Sequence, residues 1–214
     1  MNEEKTTAYT LDQYLEYEEE LEKKIQTSSV ERIYNDSFVH AALVLEALIQ
    51  KAIRDHVGML YMYCGEFSLF RDAKARELRD ELNRVKPDKN SPKYQRWETF
   101  RPHEKLIQAL SSYLKEGGKM MLVVETDISD IQKEEVWSQL GSYFISKNIE
   151  TYRLSNRVGL NHFFVAGTSY RRERDHDSKK AVCCFNNKET SDLLVSSHQL
   201  LRTISAPCTF SHQN

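Results

Sequence analysis

The order of apolar segments in the second half of the chain constrains the fold more than any other feature. Helical patterns at residues 104–115 and 131–147 alternate with short apolar runs at residues 120–125 and 149–154. Such alternation is typical of a parallel sheet that is covered by helices on both faces. The sequence therefore predicts an α/β fold with a largely parallel sheet.

Three further apolar runs follow one another without an intervening helix. They cover residues 162–166, 169–174 and 181–185, and a closing amphipathic helix is predicted at residues 189–204. Because strands that are joined by short turns pair in an antiparallel manner, we expect an antiparallel element beside the parallel strands.

The first half of the chain is predicted to be mainly helical. Thr10 and Gln13 fit a capping box at the start of an acidic helix. Residues 38–53 form a broad apolar face that is typical of a core helix, and the aromatic-rich run 59–64 is predicted to be a buried strand. Residues 72–84 are predicted to form a charged helix.

The stretch 87–102 contains three prolines and is predicted to be a polar loop. These patterns divide the chain into three parts. We expect an acidic helical extension in residues 1–35, an α/β domain in residues 36–205 and a loose tail in residues 206–214.

Size and charge limit the classes of function. The chain has 214 residues, which is close to the size of a single domain, and a formal net charge of −2. This charge excludes a globally basic nucleic-acid binder but permits local basic patches. The first ten residues are polar, and the most apolar run, 38–53, is too short and too interrupted to span a membrane. We expect a cytoplasmic protein without a membrane span.

The four cysteines form no C-x-x-C pair, and Cys183 is adjacent to Cys184. Neighbours on a strand point to opposite faces, so these two thiols are poorly placed to bind one ion together. The sequence thus predicts buried free thiols rather than a zinc site or a disulfide framework. No cofactor and no metal are expected.

Two other polar motifs have simple structural interpretations. Gly117, Gly118 and Lys119 follow a predicted helix and precede a strand, which is the reverse of the order in a phosphate-binding loop. The glycines are therefore expected to end the helix. Carboxylates after the strand at 120–125, such as Asp127, can bind magnesium, but capping of the next helix is the favoured interpretation.

The densest polar segment covers residues 161–177. On a strand, Tyr170, Arg172 and Arg174 would share one face, and Arg171 and Glu173 would share the other. Arginine suits bidentate contacts with phosphate or carboxylate groups. The expected ligand-binding residues are therefore Tyr170, Arg171, Arg172 and Arg174.

Two histidines flank this segment and are its proton carriers if it performs chemistry. These are His162 and His176. From the residues alone, the favoured alternative is structural, with a cross-strand ion-pair ladder around Arg171 and Glu173 and a hydrogen-bonded His162.

The order of elements from about residue 36 to residue 205 resembles one half of the phospholipase D superfamily. The counterparts are helix-and-strand units, a hydrophobic strand that begins with His162, an Arg-x-Glu segment at residues 171–173, and a closing helix. The family motif is His-x-Lys followed after four residues by Asp, in which histidine is the nucleophile or general acid and lysine binds the phosphate. Here the lysine position holds Phe164 and the aspartate position holds Ser169.

The resemblance therefore implies a degenerate, non-catalytic module that binds nucleic acid or a partner protein and pairs with a second copy as a homodimer. A first alternative is a metal-independent phosphodiesterase or nuclease with a rearranged site. In that case His162, His176 and Glu173 would be catalytic, and Arg171 or Arg172 would replace the lysine. A second alternative is a structural subunit that docks through its acidic first helix.

Overall fold

The computed structural model describes residues 9–211, which form one mixed sheet with helices on both faces. The helices are α1 Leu11–Thr27, α2 Phe38–Arg54, α3 Asp72–Asn83, α4 Lys93–Thr99, α5 Pro102–Lys115, α6 Trp137–Ile145 and α7 Lys188–Thr203. The strands are β1 Ile33–Asp36, β2 Met59–Cys64, β3 Lys119–Val124, β4 Ile149–Leu154, β5 Phe163–Ala166, β6 Ser169–Arg174, β7 Asp177–Cys184 and β8 Ser205–Pro207. Within residues 9–211, no helix is both long and apolar enough to cross a membrane.

The eight strands lie in the order β1-β7-β6-β5-β2-β3-β4-β8. Of the seven pairings in the described part of the chain, β2–β3 and β3–β4 are parallel and the other five are antiparallel. The prediction of a largely parallel sheet is therefore wrong, because the sheet is mixed. The expected antiparallel element and the helices on both faces are confirmed.

Short turns explain why the second half of the sheet is antiparallel. Two residues separate β5 from β6, and two separate β6 from β7. Connections this short permit antiparallel neighbours only. In the second turn, Asp175 and His176 both have positive φ, at 56° and 53°, as the favoured type I′ hairpin turn requires. His176 therefore lies at the tip of a hairpin.

Each face of the sheet carries its own apolar cluster. Helices α1, α2, α3, α5 and α6 pack over one face, where Phe164 and Cys183 are buried. Helix α7 covers the other face, where Tyr170 and Cys184 are buried. The adjacent cysteines thus point to opposite faces, as predicted, and all four cysteines are free.

The ends of the described chain join the same sheet. The predicted capping box is present at Thr10 and Gln13, and β1 pairs with β7 at one edge. At the other edge β8 pairs with β4, and the ring of Phe210 packs against Phe144, with 4.9 Å between ring centroids. Residues 212–214 of the predicted tail lie outside the described residues.

Two of the differences from the predicted secondary structure concern the segments around α4 and α6. The predicted loop at 87–102 contains the short helix α4, and the predicted helix at 131–147 is divided into a 3-10 helix, Ser129–Lys133, and α6. The division has a tertiary cause. The Asp72 carboxylate accepts hydrogen bonds from the backbone N–H groups of Glu135 and Val136, which ties the segment between the two helices to α3.

Candidate functional site

A cavity of about 550 Å³ opens where β2 and β3 end and β5 begins. We call it the His162 cavity. It lies at the carboxyl edge of the parallel strands, where ligand sites in α/β sheets usually form. Its polar lining includes Glu125, His162, Arg171, Glu173 and His176.

His162 and Glu173 meet because β5 and β6 are antiparallel neighbours. The register pairs Phe163 with Arg172, and the backbone N–H of Glu173 donates to the carbonyl oxygen of His162 at 2.8 Å. The side chains lie together as a consequence, with His162 Nδ1 2.9 Å from Glu173 Oε2. The other oxygen of Glu173 accepts a hydrogen bond from Arg171 Nη1 at 3.4 Å.

A second carboxylate approaches the opposite nitrogen of the imidazole. Glu125 Oε2 lies 3.7 Å from His162 Nε2 and 3.6 Å from Arg157 Nε. Its other oxygen accepts a hydrogen bond from the Tyr63 hydroxyl at 2.5 Å. His162 is therefore placed between two carboxylates.

The pKa values in this cluster follow from the placement. Burial lowers the pKa of His162, but Glu173 and Glu125 outweigh it, so the pKa is raised above its usual 6.5. Burial raises the pKa of Glu173, but the contacts with His162 and Arg171 prevail and lower it below 4.5. His162 and Glu173 thus stabilise each other as an ion pair.

The position two residues after His162 holds a core side chain. Phe164 shares the face of β5 on which His162 lies, and its side chain is 1% exposed and belongs to the cluster beneath α2. This position therefore holds an apolar core ring, which contributes no charge to the cavity.

Every lysine and arginine that lines the cavity has a carboxylate partner. Arg157 and Arg171 pair with Glu125 and Glu173 as described, Arg71 pairs with Asp130 and Glu134, and Lys74 pairs with Glu77. His176 is exposed in its turn, where its backbone N–H donates to the side-chain oxygen of Asn161. The cavity therefore offers little unpaired positive charge to an anion.

The carboxylates that follow β3 interact with different partners. Asp127 Oδ1 accepts the N–H of Ser129 at 2.8 Å, and its Oδ2 lies 3.3 Å from Arg153 Nη1. Asp130 pairs with Arg71. Among residues 9–211, no three His, Cys, Asp or Glu side chains are grouped so that they could hold a metal ion.

The other face of the sheet carries a second group of polar side chains. We call Arg32, Tyr34, Arg172 and Arg174 the arginine–tyrosine surface. Strand β7 lies between β1 and β6. Tyr34 of β1 and Arg172 of β6 both pair with the same residue of β7, Val182. Tyr34 is 57% exposed, and the guanidinium carbon of Arg174 lies 5.1 Å from the centre of its ring.

Tyr170 lies beneath this surface and is 3% exposed. Burial raises the pKa of its hydroxyl, while the nearby charges of Arg32 and Arg172 act to lower it. Arg32 and Arg172 are exposed, and Arg174 is half-buried. Within residues 9–211, none of these three arginines forms an ion pair with a carboxylate.

The structure divides the predicted site residues between two faces of the sheet. His162, Arg171, Glu173 and His176 line the His162 cavity. Tyr170, Arg172 and Arg174 face the opposite side, with Tyr170 buried in the cluster beneath α7. This separation follows from the two-residue period of β6.

Sequence reasoning did not single out Tyr63 and Arg157 in the cavity, or Arg32 and Tyr34 on the second surface. Tyr34 and Tyr63 are brought into place by strand pairing between distant parts of the chain, Arg32 directly precedes β1, and Arg157 lies in the segment between β4 and β5. The residues from Arg32 to Asp36 do not alternate between polar and apolar types, so the sequence contained no clear signal for an edge strand there.

No family model matches the chain, and no curated protein matches it. Twelve chains of solved structures match it, including the following two. Nuc from Salmonella typhimurium, a phospholipase D family member, has 13% identity and a TM-score of 0.47, over 85% of this chain and 99% of that chain. TrmBL2, an archaeal chromatin protein that binds DNA, has 10% identity and a TM-score of 0.49, over 92% of this chain and 63% of that chain. Both scores lie below 0.5, and neither a family nor an activity follows from them.

Proposed function

We propose that this chain is a non-catalytic, phospholipase D-like module that binds nucleic acid through the arginine–tyrosine surface. One observation carries the proposal. Three arginines that have no carboxylate partner within residues 9–211 lie on the same face of the sheet as the exposed ring of Tyr34, and the guanidinium carbon of Arg174 lies 5.1 Å from the ring centre. The lysines and arginines of the His162 cavity, in contrast, are all paired.

The chemistry of this surface suits a flexible polyanion. Guanidinium groups bind phosphate oxygens in bidentate fashion. An exposed aromatic ring gives unpaired bases a stacking platform, and arginines beside it add contacts with the backbone. Tyr34 lies in the edge strand β1, so its ring is open to an approaching oligonucleotide. The bases of a single-stranded nucleic acid can stack on this ring directly, whereas the bases of a duplex would first have to be unstacked. We therefore expect single-stranded nucleic acid to bind more tightly than duplex.

Three features of the His162 cavity argue against phosphodiester cleavage. A phosphate group that approached His162 Nε2 would meet the carboxylate of Glu125 at 3.7 Å from that atom. The position that the phospholipase D resemblance assigns to the lysine holds Phe164, which is buried. The remaining cations are already neutralised. Phosphoryl transfer depends on stabilisation of the negative charge that develops in the transition state, and this arrangement supplies little of it.

A metal-independent phosphodiesterase is the second candidate, and the His162–Glu173 pair favours it. A carboxylate that orients an imidazole and raises its pKa prepares it to act as a general acid. His176 at the tip of its hairpin would be the second proton carrier. The charge arrangement around His162 weighs more heavily, so binding without turnover is the stronger proposal.

Docking through the acidic first helix is less well supported. Several carboxylates of α1 already pair with cations of this chain: Asp12 with Lys93, Glu18 with Lys105 and Glu19 with Arg96. The acidic face of α1 is therefore partly neutralised by α4 and α5. Homodimer formation, which the phospholipase D resemblance implies, stays a prediction.

Incubation of the protein with labelled single-stranded DNA, duplex DNA and RNA in the presence of EDTA tests the proposal. Anisotropy reports binding, and denaturing electrophoresis of the same samples reports cleavage. We expect binding without cleavage, unchanged by His162→Ala. Cleavage that disappears in His162→Ala would replace the proposal with the phosphodiesterase, and absence of binding to every probe would refute nucleic-acid recognition.

A further inference from the structure

A second, larger cavity of about 750 Å³ lies among helices α3, α4, α5 and the segment that precedes α6. It is distinct from both surfaces described above. Its floor is apolar and is formed by Leu78, Leu82, Ile107 and Val136, all of which are buried. Volumes of this size are typical of sites that bind small organic molecules.

Three arginines line this cavity. Arg76 and Arg79 are three residues apart on α3, which places them on one face of the helix, and both are exposed. Arg101 lies across the cavity before α5, where its Nη1 donates to the carbonyl oxygens of Trp97 and Phe100. Within residues 9–211, Arg76 and Arg79 form neither a hydrogen bond nor an ion pair through their side chains.

The first turn of α5 adds further positive potential. The N-terminal N–H groups of a helix have no partner inside the helix, and the side chain that precedes α5, Arg101, does not cap them. The macrodipole of this 14-residue helix also favours an anion at this end. His103, in this turn, lines the cavity, and its Nε2 is buried without a hydrogen-bond partner among residues 9–211.

Three carboxylates also line the cavity, and none of them pairs with its arginines. The two oxygens of Asp72 are held by the backbone N–H groups of Glu135 and Val136. Glu104 and Glu135 are exposed and direct no ion pair to Arg76, Arg79 or Arg101 within the described chain. The guanidinium groups of Arg76 and Arg79 are thus available to an incoming ligand.

We propose that this cavity binds a phosphorylated small molecule of nucleotide size. Its phosphates contact Arg76, Arg79 and the N-terminus of α5, and its organic part covers the apolar floor between Leu82 and Ile107. This site does not depend on nucleic-acid binding at the arginine–tyrosine surface, which lies on a different face of the protein.

Titration of the full chain with ADP and, separately, with inorganic pyrophosphate at low salt tests the proposal by calorimetry. The variant is the double change Arg76→Gln and Arg79→Gln. The control is Arg84→Gln, the same type of substitution, which removes one positive charge from an exposed residue at the end of α3 that does not line the cavity. We expect ADP to bind, pyrophosphate to bind more weakly, and the double variant to lose at least about tenfold in affinity for ADP.

Histidine resonances of the unsubstituted protein locate the ligand independently of any variant. We expect ADP to shift the ring signals of His103 and to leave those of the exposed His56 unchanged. Absence of ADP binding, equal binding by the double variant, or an equal loss in Arg84→Gln would overturn the proposal. Pyrophosphate that bound as tightly as ADP would contradict the role of the apolar floor.

Discussion

His162 and Glu173 form a cross-strand ion pair, with 2.9 Å between Nδ1 and Oε2. The pair occupies the end of the β5–β6 ladder, so its geometry is set by backbone pairing rather than by flexible loops. Arg171 lies on the same face of β6 and holds the other oxygen of Glu173. The imidazole is thereby oriented beside a second carboxylate, Glu125, and the two carboxylates raise its pKa above 6.5 against the effect of burial.

The first prediction concerns the pKa of His162. Replacement Glu173→Gln removes the strongest force that favours the imidazolium, whereas burial continues to disfavour it. We therefore expect the pKa of His162 to fall from above 6.5 in the unsubstituted protein, as measured by NMR titration of the imidazole protons. The control is Glu77→Gln, which changes a carboxylate that pairs with Lys74 at the cavity rim and should leave the value unchanged. An unaltered pKa in Glu173→Gln would contradict the ion pair.

The second prediction compares two glycines at equivalent positions. Gly58 directly precedes β2 and Gly118 directly precedes β3. A Cβ at Gly118 would lie 2.4 Å from Cζ of Tyr113, whose ring is 2% exposed and whose hydroxyl donates to the carbonyl oxygen of Lys119. A Cβ at Gly58 would meet nothing within 4 Å.

We therefore expect Gly118→Ala to lower the free energy of unfolding by about 1–3 kcal/mol, as overpacking of a core does. Gly58→Ala should be neutral or should stabilise by up to about 1 kcal/mol, because it restricts the unfolded chain. Urea unfolding of the two variants measures the difference, and equal effects would show that Tyr113 yields to the added methyl group.

The third prediction concerns stability in acid. His198 is fully buried, and its Nε2 lies 3.1 Å from the carbonyl oxygen of Met62. Burial lowers its pKa to about 4. Between pH 4 and 6.5 the unfolded chain therefore binds a proton at His198 that the folded protein does not bind. Stability is lost as the pH falls through this window, by on the order of 3 kcal/mol.

Replacement His198→Gln keeps a hydrogen-bond donor but removes this titration. We expect the variant to lose less stability than the unsubstituted protein between pH 7 and pH 4, whatever its stability at pH 7. Urea unfolding at a series of pH values measures the slope, and His56→Gln, at an exposed position, is the control. Identical slopes for His198→Gln and the unsubstituted protein would show that His198 is protonated in the folded state.

Local patterns predicted most of the secondary structure. Strands β2, β4 and β6 begin and end at the predicted residues, because each combines an apolar or alternating run with clear flanking signals. The division of the predicted helix at 131–147 was not accessible in this way. It depends on hydrogen bonds from Asp72, which lies 63 and 64 residues earlier in the chain.

The direction of the strands was the main error in the predicted fold. Alternation of helix and strand correctly indicated the parallel set β2, β3 and β4. The alternation carries no information on which strand the hairpins that follow β4 pair with. Strand β5 joins the sheet beside β2 in the antiparallel direction, and β1 and β8 add antiparallel edges, so the parallel pairings are a minority of those described.

The period of β6 correctly separated Arg171 and Glu173 from Tyr170, Arg172 and Arg174. Their neighbours could not be predicted, because contact with Glu125 or Arg32 depends on strand order across the whole sheet. This separation of the charged side chains bears directly on the proposed function. The paired cations and the unpaired arginines lie on opposite faces, and the proposed binding site is therefore on the second face.

The salt dependence of oligonucleotide binding tests the central proposal most directly. The measurement is anisotropy of a labelled single strand over a range of salt concentrations, for the unsubstituted protein, the double variant Arg32→Gln/Arg172→Gln, and the control Arg157→Gln at the His162 cavity. Each phosphate contact contributes about 0.7 to the slope of log affinity against log salt. We predict that the double variant loses affinity and has a slope shallower by about 1 to 2, and that Arg157→Gln matches the unsubstituted protein. A slope unchanged in the double variant, or a loss confined to Arg157→Gln, would contradict binding at the arginine–tyrosine surface.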